Sequence, residues 1–288
     1  MSLTVVEMAA ARRLIDLALD EDLGTVGDVT SAATIPADAS GRAAVVARAG
    51  GVAAGLPVAE LVCAAADSAL VFAPTVADGT FVHAGAELAT IAGPMRAILT
   101  AERTILNFLQ RLSGVATLTW RFVEAAGGNA QVLDTRKTTP GWRLLEKYAV
   151  RKGGGHNHRV GLYDGVLIKD NHLWALGGGP AAVPTAVLAL RQCAPSLPIE
   201  VEVETWEQFE AALASNPDIV LLDNMPPELL RRCVARRNAI APGILLEASG
   251  GVNLQTIGAI AATGVDRVSV GTLTHSAKAL DIALDYRS

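Results

Sequence analysis

The sequence predicts an α/β protein in which a small α+β module precedes a series of strand–helix units. Three observations lead to this prediction. Short apolar runs of strand length alternate with helical patterns from residue 131 onward. Most of these runs end in a polar residue or a glycine. Turn residues such as Asp78-Gly79 punctuate the segment before them, as in β-hairpins.

The first part of the chain accounts for the α+β module. Apolar residues recur on one face of the N-terminal segment, which predicts a helix. Thr100 fits as the cap of a long helix whose first turn carries Glu102. In order, we expect a helix at 4–20, an irregular stretch GDVTSAATIP, a strand at 41–48, a helix at 57–66, a strand near 69–73, a hairpin within 77–94 and a helix at 97–125.

The strand–helix units favour a β/α barrel over an open sheet. Their alternation implies parallel strands joined by right-handed crossovers. In a barrel the strand ends converge on one face, which carries the chemistry, whereas an open sheet spreads them along an edge. Six units are visible, so the barrel is expected to be incomplete. The expected strands are 131–136, 165–170, 199–204, 218–224, 243–250 and 265–271, with helices at 141–152, 181–193, 205–214, 226–238, 253–263 and, last, about 275–286.

Composition is typical of a soluble globular enzyme. The 288 residues are 51% hydrophobic and 18% charged, and the net charge of −5 argues against a nucleic-acid binder. No apolar run reaches the ~18 residues of a membrane span, and no signal peptide is recognisable. Cys63, Cys193 and Cys233 are widely spaced, so we expect reduced, buried thiols in a cytoplasmic protein.

A cationic segment, residues 134–171, stands out from this acidic background. It holds eight of the 24 Lys and Arg residues but only four acidic residues, which gives it a net charge of +4. Concentrated like charge is costly unless something neutralises it. The segment therefore predicts a pocket for a small, heavily anionic substrate.

Several basic side chains are candidates for this pocket. Arg136 and Arg159 offer planar forks that suit carboxylates or phosphates, and Lys137 and Lys169 offer point charges. His158 adds a titratable donor. Lys169 lies on an apolar strand, where a buried lysine without a function is expensive. The remaining basic residues of the segment are expected to be solvated: Arg143, Lys147, Arg151 and Lys152.

Arg103 is ambiguous. It lies near the start of the long helix, where the helix dipole disfavours a cation. It is either an exposed arginine in a poor position or a residue that faces an anion.

Carboxylates on the later strands need partners of their own. Glu200, Glu202 and Glu204 share one strand face because they are two residues apart. Some of them pair with lysines, or Glu202 and Asp223 together hold a Mg²⁺ ion that also binds phosphate oxygens.

Two loops after the last two strands predict a phosphate site. EASGG (247–251) and VGTLTHS (270–276) place small residues and backbone N–H groups at strand ends. Phosphates bind at such positions in β/α barrels.

The chain resembles the quinolinate phosphoribosyltransferases, also called carboxylating nicotinate-nucleotide pyrophosphorylases. DTRKT together with NHRxGLxDxxLIKDNH is the most specific part of the resemblance. The similar segments run in order from residue 21 to residue 276: EDLGTVGDVTSAATIP, LTAERTILNFLQRLSG, DTRKTTPGWRLLEKYAV, GGGHNHRVGLYDGVLIKDNH, EVEVE, VLLDNM, LEASGGV and VGTLTHS.

The resemblance implies both a fold and a reaction. An α+β sandwich domain (1–112) would precede an incomplete β/α barrel of six to seven units (113–274), with a helix at 275–288 packing back on the first domain. The enzyme would transfer phosphoribosyl from 5-phosphoribosyl 1-diphosphate to quinolinate with decarboxylation, in NAD biosynthesis. It would use Mg²⁺ without an organic cofactor. It would act as a homodimer, with further assembly open, in which Arg103 reaches the partner's active site.

The resemblance also implies roles for individual residues. The residues expected around quinolinate are Arg103, Arg136, Lys137, His158, Arg159 and Lys169. The residues expected around phosphoribosyl diphosphate are Lys137, Glu202, Asp223, Ser249, Gly250, Gly271 and His275. Lys137, Lys169, Glu202 and Asp223 are expected to act in catalysis, and Glu202 and Asp223 to hold Mg²⁺, directly or indirectly.

Two other functions fit parts of the pattern. A class I aldolase would form a Schiff base on Lys169, although so many arginines suit a dianion better than a simple carbonyl. A non-catalytic phosphosugar-binding protein is the other alternative, since accessory proteins of molybdenum transport share the family's architecture.

Overall fold

The computed structural model describes residues 3–287, which form two compact units. Unit 1 contains the residues up to 120, 138–154 and those from 273 onward, and unit 2 contains 121–137 and 155–272. The helices are α1 Val5–Leu23, α2 Val29–Thr34, α3 Leu56–Ala66, α4 Met95–Ala126, α5 Arg143–Lys152, α6 Asp170–Ala175, α7 Ala182–Cys193, α8 Trp206–Ser215, α9 Pro227–Ile240, α10 Ile257–Ala261 and α11 Thr272–His275. The strands are β1 Ser40–Ala47, β2 Gly51–Val52, β3 Val71–Pro74, β4 Phe81–Val82, β5 Glu87–Pro94, β6 Gln131–Leu133, β7 Val166–Ile168, β8 Ile199–Val203, β9 Ile219–Asp223, β10 Leu245–Ser249, β11 Arg267–Ser269 and β12 Ile282–Arg287.

Unit 1 is built on a four-stranded antiparallel sheet with the order β12-β1-β5-β3. The helix predicted at the N-terminus is confirmed as α1, which begins with a capping box: Thr4 and Glu7 each accept the other's backbone N–H, at 3.2 and 2.8 Å. The helices predicted at 57–66 and 97–125 are confirmed as α3 and α4.

Three local expectations for unit 1 are wrong. The hairpin expected within 77–94 does not form, because β4 pairs with β2 whereas β5 pairs with β1 and β3. GDVTSAATIP contains the short helix α2, because the Asp28 carboxylate accepts the Ser31 backbone N–H at 2.9 Å and caps its first turn. Thr100 does not cap the long helix, which begins at Met95, directly after β5. The Thr100 hydroxyl instead donates to Asp28 at 3.2 Å.

The end of the chain forms a strand where a helix was expected. Residues from 282 to 287 pair antiparallel with β1 as β12, with Val45 opposite Leu284, and only the short helix α11 precedes them. Apolar residues at helical spacing over so short a stretch are weak evidence for a helix. Pairing with β1 supplies hydrogen bonds to a strand that would otherwise lie at the sheet edge and buries Ile282.

Unit 2 contains six parallel strands in the order β6-β11-β10-β9-β8-β7. All six predicted strands are confirmed, each shorter than predicted by one to four residues because residues at their ends lie in loops. Helices α7, α8, α9 and α10 lie between consecutive strands, as the barrel prediction requires.

The sheet of unit 2 is curled. A parallel bridge joins His156 to Leu133 on β6, so the following residues run beside β6. The His158 Nε2 atom nevertheless lies 3.0 Å from a carboxylate oxygen of Glu200 on β8. Four strand spacings separate β6 from β8, which would be roughly 19 Å in a flat sheet. Contact between these two positions is possible only if the sheet curls round toward itself. The expected incomplete barrel is therefore confirmed.

Three further expectations concern burial and membrane spans. Lys147 is 1% exposed, so the expectation that it is solvated is wrong. Cys63 and Cys233 are buried thiols as predicted, whereas Cys193, at the end of α7, is exposed. None of the helices within residues 3–287 combines the length and the apolar character that a membrane crossing requires.

Candidate active site

A cavity of about 290 Å³ lies at the carboxyl ends of the six parallel strands in unit 2. Parallel strands of a β/α barrel present their functional side chains at these ends. Eight of its lining residues were predicted as site residues: Arg136, Lys137, His158, Arg159, Lys169, Glu202, Asp223 and Ser249. The others, which the sequence did not single out, are Thr135, Leu167, Leu221 and Ser269.

The cavity has a strongly cationic side. Arg136, Lys137 and Arg159 come from the two segments that follow β6 and α5, and Lys169 follows β7. Burial and the neighbouring Arg136 guanidinium lower the pKa of Arg159. Its Nη1 atom donates to the Gly165 carbonyl at 3.2 Å, which holds the guanidinium in place. Guanidinium groups placed this close together favour an anion between them.

Two carboxylates, Glu202 and Asp223, also line the cavity. Glu202 is 9% exposed, and Lys169 Nζ donates to its Oε2 atom at 3.0 Å. Burial raises the pKa of Glu202 although Lys169 opposes the shift, and the charge of Asp223 raises it further. Lys169 itself has an exposed side chain, so the expectation that it is buried is wrong. Its partner is Glu202, which lies on the neighbouring strand β8.

The three glutamates Glu200, Glu202 and Glu204 have different surroundings. Glu202 faces the cavity, whereas Glu200 lies deeper and contacts His158. Glu204 follows the strand end and is exposed. The shared strand face predicted from the two-residue spacing therefore holds for Glu200 and Glu202 within the strand.

His158 lines the cavity, but both of its ring nitrogens have partners within the chain. Its Nδ1 atom accepts the backbone N–H of Arg159 at 2.8 Å. Its Nε2 atom lies 3.0 Å from Glu200 and 3.5 Å from Glu247. The sequence suggested a donor to substrate. The structure shows a ring that is directed into the interior of the barrel.

The loop around His158 is held by Asp134. This carboxylate is completely buried and accepts the His158 backbone N–H at 2.9 Å and the Asn157 side-chain amide at 2.6 Å. Asp134 begins the DTRKT motif, which is the signal that pointed to this segment. The hydrogen bonds explain why an acidic residue begins a cationic motif.

The loop after β10 fits tightly against the loop after β9. Asn224 donates its backbone N–H to the Ser249 carbonyl at 2.9 Å, and its side-chain amide donates to Asp223 at 2.7 Å. Gly250 has φ +92°, and a Cβ atom there would lie 2.1 Å from the Asn224 side-chain oxygen. This position requires glycine for both conformation and space.

We expect Gly250→Ala to destabilise the protein by about 2–3 kcal/mol because it combines a left-handed backbone with a steric clash. The matched control is Gly251→Ala, which has φ +61° but open space around its Cβ position. It should cost only about 1 kcal/mol. Urea unfolding measures both losses, and equal losses would contradict the proposed packing against Asn224.

Four predicted residues do not line the cavity. Gly250 lies beside the lining residue Ser249, and Gly271 is half-buried between β11 and α11. Arg103 and His275 belong to unit 1 and are exposed. The predicted roles of these four residues continue to depend on the resemblance.

A second cavity, of about 450 Å³, opens at the amino ends of the strands. It is bounded by Gln131 and Arg267, which begin β6 and β11, and by Pro198, which precedes β8. His158 and Arg159 border both cavities. The smaller cavity is the better candidate active site because it combines four cations, two carboxylates and the strand ends.

Family models and known proteins agree on one family. The model "Quinolinate phosphoribosyl transferase, C-terminal domain" matches residues 115–285. The corresponding N-terminal domain model matches residues 28–113.

Curated relatives and solved structures carry the same family's names. The carboxylating nicotinate-nucleotide pyrophosphorylase of Mycobacterium leprae is 47% identical over 283 residues, covering 97% of this chain and 98% of that protein. The decarboxylating quinolinate phosphoribosyltransferase 1b of Nicotiana tabacum is 42% identical, covering 94% and 81%. The nicotinate-nucleotide pyrophosphorylase structure from Francisella tularensis superposes with a TM-score of 0.91 at 38% identity, covering 97% of this chain and 96% of that chain. The structure from Ehrlichia chaffeensis gives 0.90 at 35% identity, covering 100% of both chains.

Proposed function

The chain belongs to the quinolinate phosphoribosyltransferase family, and from this premise we propose how its residues carry out the family's reaction. The enzyme transfers the phosphoribosyl group of 5-phosphoribosyl 1-diphosphate to quinolinate. The products are nicotinate mononucleotide, CO₂ and diphosphate. The reaction belongs to NAD biosynthesis.

The observation that carries the proposed residue roles is the pairing of cations and carboxylates across one cavity. Quinolinate has two carboxylates, and the cationic side offers Arg136, Arg159 and Lys169 to bind them. The carboxylates Glu202 and Asp223 lie at the ends of adjacent strands, near the proposed position of the ribose. This arrangement supports binding of a dianion at the cations and of a developing positive charge beside the carboxylates.

The chemistry proceeds in two stages. The pyridine nitrogen attacks C1 of the ribose as diphosphate leaves, and positive charge develops on the ribose. Glu202 and Asp223 stabilise this charge, and Lys137 offsets the charge of the departing diphosphate. The pyridinium nitrogen of the ribosylated intermediate then acts as an electron sink, so the 2-carboxylate leaves as CO₂, and the carbanion left at C2 takes up a proton from solvent to give nicotinate mononucleotide. Arg136 and Arg159 hold the ring throughout.

Glu202 and Asp223 are also the residues that would hold Mg²⁺. They offer the oxygen ligands that this ion prefers, on adjacent strand ends. The Asp223 charge contributes to the raised pKa of Glu202, so the two carboxylates are close enough to repel each other and to gain from a shared cation. When bound, Mg²⁺ supplies charge neutralisation for the diphosphate group.

Neither alternative function is supported by this arrangement. A Schiff-base lysine has to attack a carbonyl with a free amine, whereas Lys169 Nζ is held in an ion pair with Glu202 at 3.0 Å. A non-catalytic binding protein would have no need of Glu202 and Asp223 beside the cations. The eight predicted residues that line this one cavity favour catalysis.

The proposal includes a homodimer in which Arg103 completes the partner's site. Arg103 is exposed on α4 and is not among the residues that line the cavity. An exposed arginine that does not line the cavity of its own chain fits a residue that meets an anion in the assembled enzyme. The active species is therefore proposed to be a symmetric dimer with two shared sites.

Subunit mixing tests this proposal. Arg103→Ala and Lys169→Ala should each be nearly inactive alone. After subunit exchange, half of the dimers are mixed and each contains one intact site, so we expect about a quarter of wild-type activity to return. Two affinity tags verify that exchange has occurred.

The matched control mixes Lys169→Ala with Glu202→Gln. Both residues line the same cavity, so no mixed dimer has an intact site and activity should stay low. Failure of the Arg103 and Lys169 pair to recover, after verified exchange, would exclude a role for Arg103 across the interface.

A further inference from the structure

A buried polar cluster lies beneath the cationic side of the candidate active site. His158, Glu200 on β8 and Glu247 on β10 each place one ring or carboxylate atom within 4.8 Å of the others. Glu247 is 0% exposed and Glu200 is 4% exposed. The mechanism above uses neither glutamate. Two carboxylates this deep in a barrel are costly unless they have a structural or functional purpose.

Hydrogen bonds determine the orientation of the His158 ring. Because Nδ1 accepts the Arg159 backbone N–H at 2.8 Å, the ring proton resides on Nε2. The Nε2–H group points at Glu200, at 3.0 Å, with Glu247 at 3.5 Å. A rotation of the ring would break the contacts on both sides. Glu200 therefore holds the ring, Glu247 lies against it at 3.5 Å, and the ring holds the backbone of Arg159.

The cluster favours one protonated carboxyl group. Burial and the neighbouring Glu200 raise the pKa of Glu247 toward neutrality. Among the described residues, Glu200 Oε1 and both carboxylate oxygens of Glu247 are buried without a hydrogen-bond partner, an arrangement that a proton on one of the two carboxyl groups would stabilise. The neighbours of Glu247 are Glu200 on β8, His158, Arg267 and Ser269 on β11, and the apolar Leu221 opposite it on β9.

We propose that Glu247 is a positioning residue for the transfer reaction: together with Glu200 it holds the His158 ring, and through that ring the Arg159 backbone, in the orientation that binds quinolinate. Glu247 does not touch substrate. Its effect reaches the site through His158, which borders the cavity.

The protonation of Glu247 then influences substrate binding. A neutral Glu247 leaves the cluster with a single negative charge. When Glu247 ionises, a second negative charge appears beneath Arg159 and weakens the attraction for a dianion. The affinity for quinolinate should therefore fall as the pH rises through the pKa of Glu247. This inference rests on the function proposed above.

The test compares quinolinate KM and kcat for the wild type, Glu247→Leu and Glu247→Gln. Glu247→Leu should raise the quinolinate KM about tenfold while kcat changes less than about threefold, because only the orientation of a binding group is lost. Glu247→Gln keeps a polar group of the same size against the His158 ring and should restore most of the lost affinity. From about pH 6 to about pH 8.5 the wild-type KM should rise about threefold more than that of Glu247→Gln, which cannot ionise.

Three outcomes would overturn the inference. Unchanged quinolinate KM in Glu247→Leu would remove the positioning role, and identical pH profiles for the wild type and Glu247→Gln would remove the role of ionisation. Stoichiometric zinc in the wild type that disappears in Glu247→Gln would make the cluster a metal site instead. If Glu247→Leu does not fold, the pH profile of Glu247→Gln still decides.

An inactive wild type would contradict the proposed function, whereas an active wild type with insensitive variants contradicts only this inference.

Discussion

Lys169→Ala should lower kcat/KM for quinolinate by roughly 100-fold or more. The substitution removes a cation from the cavity and leaves Glu202, which is 9% exposed, without the ammonium that lies 3.0 Å away. Removing one member of such a pair costs about 3 kcal/mol, which corresponds to roughly 100-fold in rate. Steady-state kinetics with quinolinate as the varied substrate measures the loss.

A surface lysine and a double variant provide the controls. Lys278→Ala removes an exposed lysine that does not line the cavity and should leave kcat/KM unchanged. The Lys169→Ala/Glu202→Gln double variant no longer carries the unpaired carboxylate. Its total loss should be smaller than the combined losses of the two single variants. Fully additive losses would show that the ion pair between Lys169 and Glu202 is not functionally coupled.

Arg159→Ala should raise the quinolinate KM by roughly 10- to 100-fold, the equivalent of the 1.5–3 kcal/mol of a charge-assisted hydrogen bond. Burial and Arg136 lower the pKa of Arg159, which shows that its surroundings disfavour the charge until an anion binds. The KM for 5-phosphoribosyl 1-diphosphate should change much less, because Arg159 is assigned to the other substrate.

Arg236→Ala serves as the comparison for Arg159→Ala. Arg236 is exposed and paired with Glu210 at 2.8 Å on the surface of unit 2, away from the cavity lining. Its loss should leave both KM values unchanged. If Arg159→Ala behaved like Arg236→Ala, Arg159 would have no place in quinolinate binding.

Simple rules about parallel strands predicted most of the cavity. Lys169, Glu202, Asp223 and Ser249 were identified because each follows or ends an apolar run, and all four line the cavity. The direction of a parallel strand determines which end faces the site, so a strand recognised in the sequence also locates its functional residue. Local sequence was sufficient at these positions.

Residues whose roles depend on distant partners could not be predicted in the same way. Nothing near His158 in the sequence indicates that its ring meets Glu200 and Glu247, which lie 42 and 89 positions later in the sequence. Lys147 looked like a solvated lysine on a helix, but its face of α5 is buried. Curling of the sheet and packing of the helix create these environments.

The same limit applies to two elements of unit 1. The segment that forms β12 becomes a strand because β1 has an unpaired edge more than 230 residues earlier in the sequence. Helix α2, by contrast, has a local signal, the cap formed by Asp28 and Ser31, which was present in the sequence but was outweighed by the flanking glycine and proline.

Simultaneous measurement of both products tests the central claim most directly. Purified protein is incubated with quinolinate, 5-phosphoribosyl 1-diphosphate and Mg²⁺ while nicotinate mononucleotide and CO₂ are followed, with nicotinate in place of quinolinate in a parallel reaction. The account predicts equimolar nicotinate mononucleotide and CO₂ from quinolinate and no product from nicotinate, because the cationic side of the cavity requires the second carboxylate. Binding of both substrates without any product, or equal turnover of nicotinate, would contradict it.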